Sequence, residues 1–368
     1  MRSASFPTKL ENVPYPKEAI SIFLHGFLQA SKLYRDFYII VILHMSGFLT
    51  VSYLKGITPV FRVGIAYFYT SFILFFSYFL VLTLLRYTKI RLKGTERPFL
   101  SLMQSYYSAL RNGHRAGQFL NAYCIFIIAY TSFSIFKSTI PKLVPFYADP
   151  AIADLEHRLF FGQFPHELFG WVYQYEYLIV FLDALYLGWT AIIVIFAFYL
   201  SLKKDAKEQI RILYCYVFGL LVAGNILALL FSSVGPVFHG SFFAGIDAYD
   251  ALNLTLNDIH ARTSGVWAVV LQGLLLDAYS NADIPVSGIS AMPSIHVYLA
   301  FLIAISFKKY GYTAFIIGFS YAILIFLGSF LLAWHYLLDG VVSIALVSIM
   351  WRLSSQLSIR AIHRAQNE

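Results

Sequence analysis

Residues 291–339 read AMPSIHVYLAFLIAISFKKYGYTAFIIGFSYAILIFLGSFLLAWHYLLD, two apolar runs joined by Lys308, Lys309 and Gly311. A histidine stands at the outer edge of each run, His296 at the start and His335 at the end. About 20 mainly apolar residues cross the hydrocarbon of a bilayer, so each run has the length of a membrane span. Outward from this stretch the same pattern recurs over Phe37–Leu54, Gly64–Leu85, Phe119–Ile140, Tyr177–Leu202 and Ile212–Val234, and again over Leu337–Leu353. With Ala291–Phe307 and Thr313–Leu332 these make about eight spans. The chain is 59% hydrophobic and 12% charged, a balance that excludes a soluble domain of this length. The fold expected is therefore an all-α integral membrane protein of about eight transmembrane helices.

Ahead of the first span, Ile20–Leu33 is apolar on one side, fitting an interfacial helix or a partly buried one. More than thirty residues precede the first run and no small-residue cleavage site follows it, so a removable signal peptide is not expected. Cys124 and Cys215 fall inside spans, where a thiol packs as a small apolar group, so neither a disulfide nor cysteine chemistry is expected.

The net charge of +8 is distributed as membrane topology rather than as a nucleic-acid surface. Arg86, Lys89, Arg91, Lys93, Arg97, Arg111 and Arg115 crowd the loop after the second span and place it in the cytoplasm. Crossing once per span then puts Lys203, Lys204, Lys207 and Arg211 inside, followed by Lys308 and Lys309, then Arg352, Arg360 and Arg364. The opposite face receives Pro141–Gly170 and Gly235–Ser290, together with His296 and His335. Two histidines about forty residues apart thus reach the same side at similar depth, which points to one shared site away from the cytosol, periplasmic in a bacterium or lumenal in a eukaryote.

His335 and Asp339 are four residues apart, a spacing that on a helix lies on one face. The carboxylate can then bind one imidazole nitrogen and leave the other free. Ionisable groups at membrane depth are costly and mark function; the competing reading is a buried ion pair that orders two helices. Pro293 and Ser294 stand where a helix begins, and the free N–H groups and positive dipole end there suit a phosphate. Arg158 and Arg262 are the outer-face cations available to an anionic head group. No HxxxH or HExxH spacing occurs, so no metal site and no cofactor are expected. Trp334 reads as an interfacial anchor. Gly235-Pro236 either ends the fifth span or shapes the site. Gly113 and Gly117 lie beside Arg and His rather than within an apolar run, and do not read as a packing motif.

On these residues the sequence resembles the type 2 phosphatidic acid phosphatase superfamily, whose later motifs are Pro-Ser-Gly-His and Ser-Arg-x5-His-x3-Asp. Pro293-Ser294-Ile295-His296 matches the first with Ile for Gly, and His335 with Asp339 matches the second. The wording Ala-Met-Pro-Ser-Ile-His with His-Tyr-Leu-Leu-Asp, Leu159–Pro165 and Gly235-Pro236 is similar to the branch containing inositol phosphorylceramide synthases and bacterial relatives. The resemblance runs from Asp149 to the C-terminus and implies a division into an N-terminal part, 1–118, with two added spans, and a phosphatase-like core of the last six helices, 119–368.

The departures are informative. The family motif Lys-x6-Arg-Pro is expected at the end of the fifth span, where this chain has Ala228 and Gly235-Pro236, and the Ser-Arg pair falls at Gly328-Ser329. Lys89 to Arg97-Pro98 carries one residue too many and sits on the cytoplasmic side. Three cations that grip phosphate are therefore absent by direct matching. Each charge-assisted contact contributes about 1.5–3 kcal/mol, so a dianionic monoester suffers more than a singly charged diester. The expectation is a diester-like lipid head group, or Arg158 or Arg262 replacing the missing cations.

What the resemblance implies is a displacement in which His335, oriented by Asp339, attacks phosphorus while His296 protonates the departing oxygen. Ser294 and nearby N–H groups hold the equatorial oxygens, without a metal. Water as acceptor makes a lipid phosphatase; a polyol or lipid hydroxyl makes a phosphotransferase. A non-catalytic lipid-binding protein that keeps the fold is the alternative of another class. The partners expected are a phospholipid or other lipid phosphate, the membrane and such an acceptor, with no nucleic acid.

Overall fold

The computed structural model describes residues 16–111, 113–243, 247–280 and 288–368, and all regular structure among them is helical. The chain opens with α1 (Pro16–Leu54), α2 (Phe61–Leu92), α3 (Pro98–Arg111) and α4 (Gly113–Leu143). There follow α5 (Asp149–Leu159), α6 (Glu176–Leu187), α7 (Trp189–Ser201) and α8 (Ala206–Phe218), the last running through a π-helical stretch to Leu230. Then come α9 (Asp247–Thr263), α10 (Trp267–Ser280), α11 (Ile295–Phe307), α12 (Tyr312–Leu331) and α13 (Leu337–Asn367). Among the described residues six helices are long and apolar enough to cross a membrane, and α6 with α7, bent by 41° at Gly188, reaches that length only as a pair, as a broken span or a re-entrant loop. The eighth apolar run is helical only over α11, thirteen residues that the other helices bury almost entirely.

The apolar surface divides between lipid and protein. None of the most apolar window of α2 is buried, whereas 72% of the corresponding windows of α4 and α8 is, so α2 faces lipid and α4 and α8 form the centre. Apolar tails compete equally with apolar side chains, so close backbone approach decides which helices pair. Gly219 and Gly224 supply it: a Cβ at the first would lie 2.3 Å from the Tyr298 ring, and at the second 2.5 Å from Phe133 and 2.9 Å from Ile295. The Asn225 amide donates to the Phe133 carbonyl at 3.1 Å. α8 is thereby wedged between α4 and the start of α11.

Two expectations change. Ile20–Leu33 is not a separate element but the first half of α1, continuous with the first span. Gly113 and Gly117 do form a packing seam, because a Cβ on Gly117 would fall 2.3 Å from the Gly26 carbonyl oxygen of α1. Their polar neighbours His114 and Arg115 sit in the first turn of α4 and are exposed, which sequence spacing could not show.

Gly235–Ser290 is also more than a loop, for α9 and α10 lie within it. Asp183 of α6 fixes α10 by accepting from the Trp267 and Ala268 N–H groups at 2.8 and 2.9 Å, two of the donors that a helix start leaves unpaired.

Candidate active site

α12 ends in a tight turn rather than running into α13. Ala333 has φ +60, and the His335 N–H donates to the Ser329 carbonyl at 2.9 Å. Tyr336 caps α13, and its N–H donates to Asp339 Oδ2 at 3.0 Å. Oδ2 also lies 3.4 Å from His335 Nδ1, too poorly aligned to count as a hydrogen bond, since Nδ1 and Asp339 Oδ1 are both buried without a hydrogen-bond partner. The expected pairing of His335 with Asp339 is thus present as a contact across a helix start, with His335 outside the helix. Burial, and after it the Lys137 ammonium, lower the His335 imidazole to about 3, against a backbone hydrogen bond with Ala291. The ring is neutral at physiological pH.

His296 lies in the first turn of α11 and stacks on Tyr186 with ring centroids 4.6 Å apart, with Trp189 at 4.5 Å on another side. Its centroid is 6.0 Å from that of His335. Ser294 caps the helix: its Oγ accepts from the Val297 N–H at 3.5 Å, its own N–H donates to the Asp339 carbonyl at 3.4 Å, and it is fully buried. The starts of α11 and α13 are thereby tied together, which brings two histidines thirty-nine residues apart onto one wall.

That wall lines a cavity of about 230 Å³. α4, α6, α7 and α10 supply its apolar and aromatic sides, and Tyr67 of α2 also reaches it. Among the described residues His296, His335 and Lys137 are its basic groups, and none of those that line it is a carboxylate. Trp334 is a wall residue and not an interfacial anchor, lying parallel to Tyr186 at 6.2 Å. Gly235, next to the lining residue Val234, lets the backbone pass close to Trp334: at φ +86, a Cβ would come 2.8 Å from the Trp334 carbonyl oxygen.

The two arginines lie elsewhere. Arg158 pairs with Asp154 at 2.8 Å and Arg262 with Glu176 at 2.7 Å; both side chains are more than half exposed and neither lines the cavity. Three residues escaped sequence reasoning. Lys137 is one, a lone cation near the end of an apolar run. Asp149 and Glu156 on α5 are the others. Asp149 accepts from the Val234 and Gly235 N–H groups and from the Tyr336 hydroxyl, all within 3.0 Å. Glu156 accepts from the Leu338 N–H at 2.9 Å. Burial raises both carboxyls, Glu156 to about 8. Their partners are backbone groups and one phenol up to 187 residues away, for which no spacing rule exists.

Membrane-length helices that enclose a small basic cavity with two facing imidazoles, one backed by a carboxyl group, define a multi-pass membrane protein with a site of acid–base and nucleophilic character. Residues 150–353, more than half of the chain, match the PAP2 superfamily, and the chain belongs to it. Membership carries a lipid phosphatase or phosphotransferase type of function in general terms. No curated protein and no solved structure matches the chain.

Proposed function

We propose that the protein cleaves a lipid phosphoester through a phosphohistidine on His335 and passes the phosphoryl-bearing group to a hydroxyl acceptor. The observation that carries this reading is the pair of rings, His296 and His335, facing one cavity with Asp339 behind the second. Nδ1 of His335 faces Asp339, which leaves Nε2 as the attacking atom. As Nε2 bonds to phosphorus, the ester P–O bond breaks and the departing oxygen takes a proton from His296. In the second step His296 takes the acceptor's proton, the acceptor oxygen bonds to phosphorus and the P–N bond breaks. Asp339 stabilises the positive charge that the His335 ring carries in between. Ser294 acts by seating the turn that presents His296.

The apolar walls favour a lipid hydroxyl over bulk water, and the sequence resemblance to inositol phosphorylceramide synthases adds a polyol as acceptor; water as acceptor makes the same site a phosphatase. The reading includes the division at about residue 118 and a site away from the cytosol. The second of these draws support from α11, which has His296 at one end and Lys308 and Lys309 at the other.

The test is lipid mass spectrometry on membranes expressing wild type or His335→Ala, followed by purified protein supplied with the lipid that accumulates. A His335-dependent product with a new head group supports transfer, and a dephosphorylated lipid with free phosphate supports hydrolysis. Identical lipids in the two strains, with no turnover by the pure protein, would leave a non-catalytic lipid-binding protein.

A further inference from the structure

Tyr130, Phe133, Ser134 and Lys137 recur at the spacing of one helix face, and all four line the cavity that holds His296 and His335. Among the described residues no carboxylate lies within ion-pair distance of the lysine's ammonium, which stands 6.0 Å from the centroid of the Phe133 ring. α4 is held against its neighbours here: a Cβ at Gly288 would meet the Lys137 carbonyl oxygen at 2.7 Å, and Asn225 grips the Phe133 carbonyl. A cation at this depth without a counter-ion is costly unless a ligand supplies the negative charge.

We propose that Lys137 binds the phosphate group of the substrate, holding it between the two imidazoles. The inference rests on the proposed phosphoester chemistry and adds to it a residue from α4, outside the region that matches the family. Lys137 brings the one ammonium group among the described residues that line the cavity. Facing one such charge, a phosphate with a single negative charge is balanced, whereas a dianion is left with an excess.

The probe is inorganic phosphate, with full-length protein in detergent micelles and binding read as the phosphate-dependent rise in thermal midpoint. Phosphate is expected to stabilise the wild type. Lys137→Met is expected to bind it ten- to a hundredfold more weakly, in line with one charge-assisted contact, and Lys137→Arg within about tenfold of wild type. Unchanged phosphate affinity in Lys137→Met overturns the proposal, even where lipid turnover persists and the phosphotransfer reading stands. Phosphate binding that depends on Lys137 in a protein without turnover upholds the lysine's role and overturns the catalytic reading instead. A second measurement needs no variant: amine-reactive labelling of wild-type Lys137, followed by peptide mass spectrometry, should slow as phosphate is added. Labelling at an unchanged rate counts against the proposal even if Lys137→Met fails to fold.

Discussion

Glu156 Oε1 accepts the Leu338 backbone N–H at 2.9 Å, so a carboxyl group on α5 seats the first turn of α13, which carries Asp339. The same short helix holds Asp149 against the Tyr336 hydroxyl. α5 is thus a bracket for the turn that begins α13, its two buried carboxyl groups holding Tyr336 and Leu338 on either side of the helix start.

Glu156 gives this bracket a pH dependence. Burial raises its carboxyl from near 4.5 to about 8, the Leu338 N–H opposes this, and the Asp339 carboxyl adds to it; Tyr249 also lies nearby. A folded value above the unfolded one means that the native state binds the proton more tightly. The contribution is complete below about pH 4.5 and is lost as pH rises through about 8. Thermal midpoints of the purified protein should therefore fall between pH 5 and 8, and Glu156→Gln, neutral throughout, should flatten that slope. Parallel profiles for the two proteins would remove Glu156 as the cause.

Asp149 holds three donors at once, two backbone N–H groups of the Val234–Gly235 turn and one phenol. Asp149→Ala leaves all three buried without an acceptor, at a cost of about 3 kcal/mol or more. The midpoint should fall by several degrees, and activity should fall further than stability because both loops around His335 lose their anchor. Asp149→Asn, which keeps an acceptor, should recover part of each. A variant as stable and active as wild type would show that the two loops are held by other contacts.

How much of this was legible in the sequence depends on the kind of contact. Hydrophobic length alone locates the long helices, since a span needs a minimum number of apolar residues. Lys and Arg placement brings His296 and His335 to one side, and the structure seats them on one cavity wall. Trp334 was misread because a tryptophan beside polar loops has the same local pattern whether it meets head groups or a partner such as Tyr186. α9 and α10 were hidden because helices lying over a site need no sustained apolar run. Lys137 is a single residue without a motif, and only the packing of α4 against α8 shows which way its face turns.

Asp339 should act on turnover rather than on binding. Asp339→Asn keeps an oxygen that accepts the Tyr336 N–H, so the start of α13 survives, but it removes the negative charge that offsets the charged His335 ring. kcat should fall by about 10²–10⁴ with KM little changed, and the thermal midpoint should stay within a few degrees. Equal losses in kcat and midpoint would assign Asp339 to folding alone.

The seam between α1 and α4 tests the reach of the N-terminal helices. Gly26 faces Gly113 so closely that a Cβ would lie 2.1 Å from the Gly113 carbonyl carbon, and Gly117 faces the Gly26 carbonyl oxygen. The Asn121 amide completes the contact by donating to the Phe27 carbonyl at 3.2 Å, and Asn121 accepts from the Tyr38 hydroxyl at 2.8 Å. Backbones this close gain dispersion along their whole contact, the interaction that lipid replaces least well. Gly26→Leu forces the helices apart by a side chain's thickness, and overpacking of this kind costs about 1–3 kcal/mol or more. α4 also carries the cavity face with Phe133 and Lys137, so the strain should reach the site. Gly26→Leu is expected to lower both the midpoint and lipid turnover, whereas Gly47→Leu on the same helix, where a Cβ meets nothing within 4 Å, should leave both unchanged. Equal behaviour of the two variants would show that α1 is dispensable to the arrangement of α4.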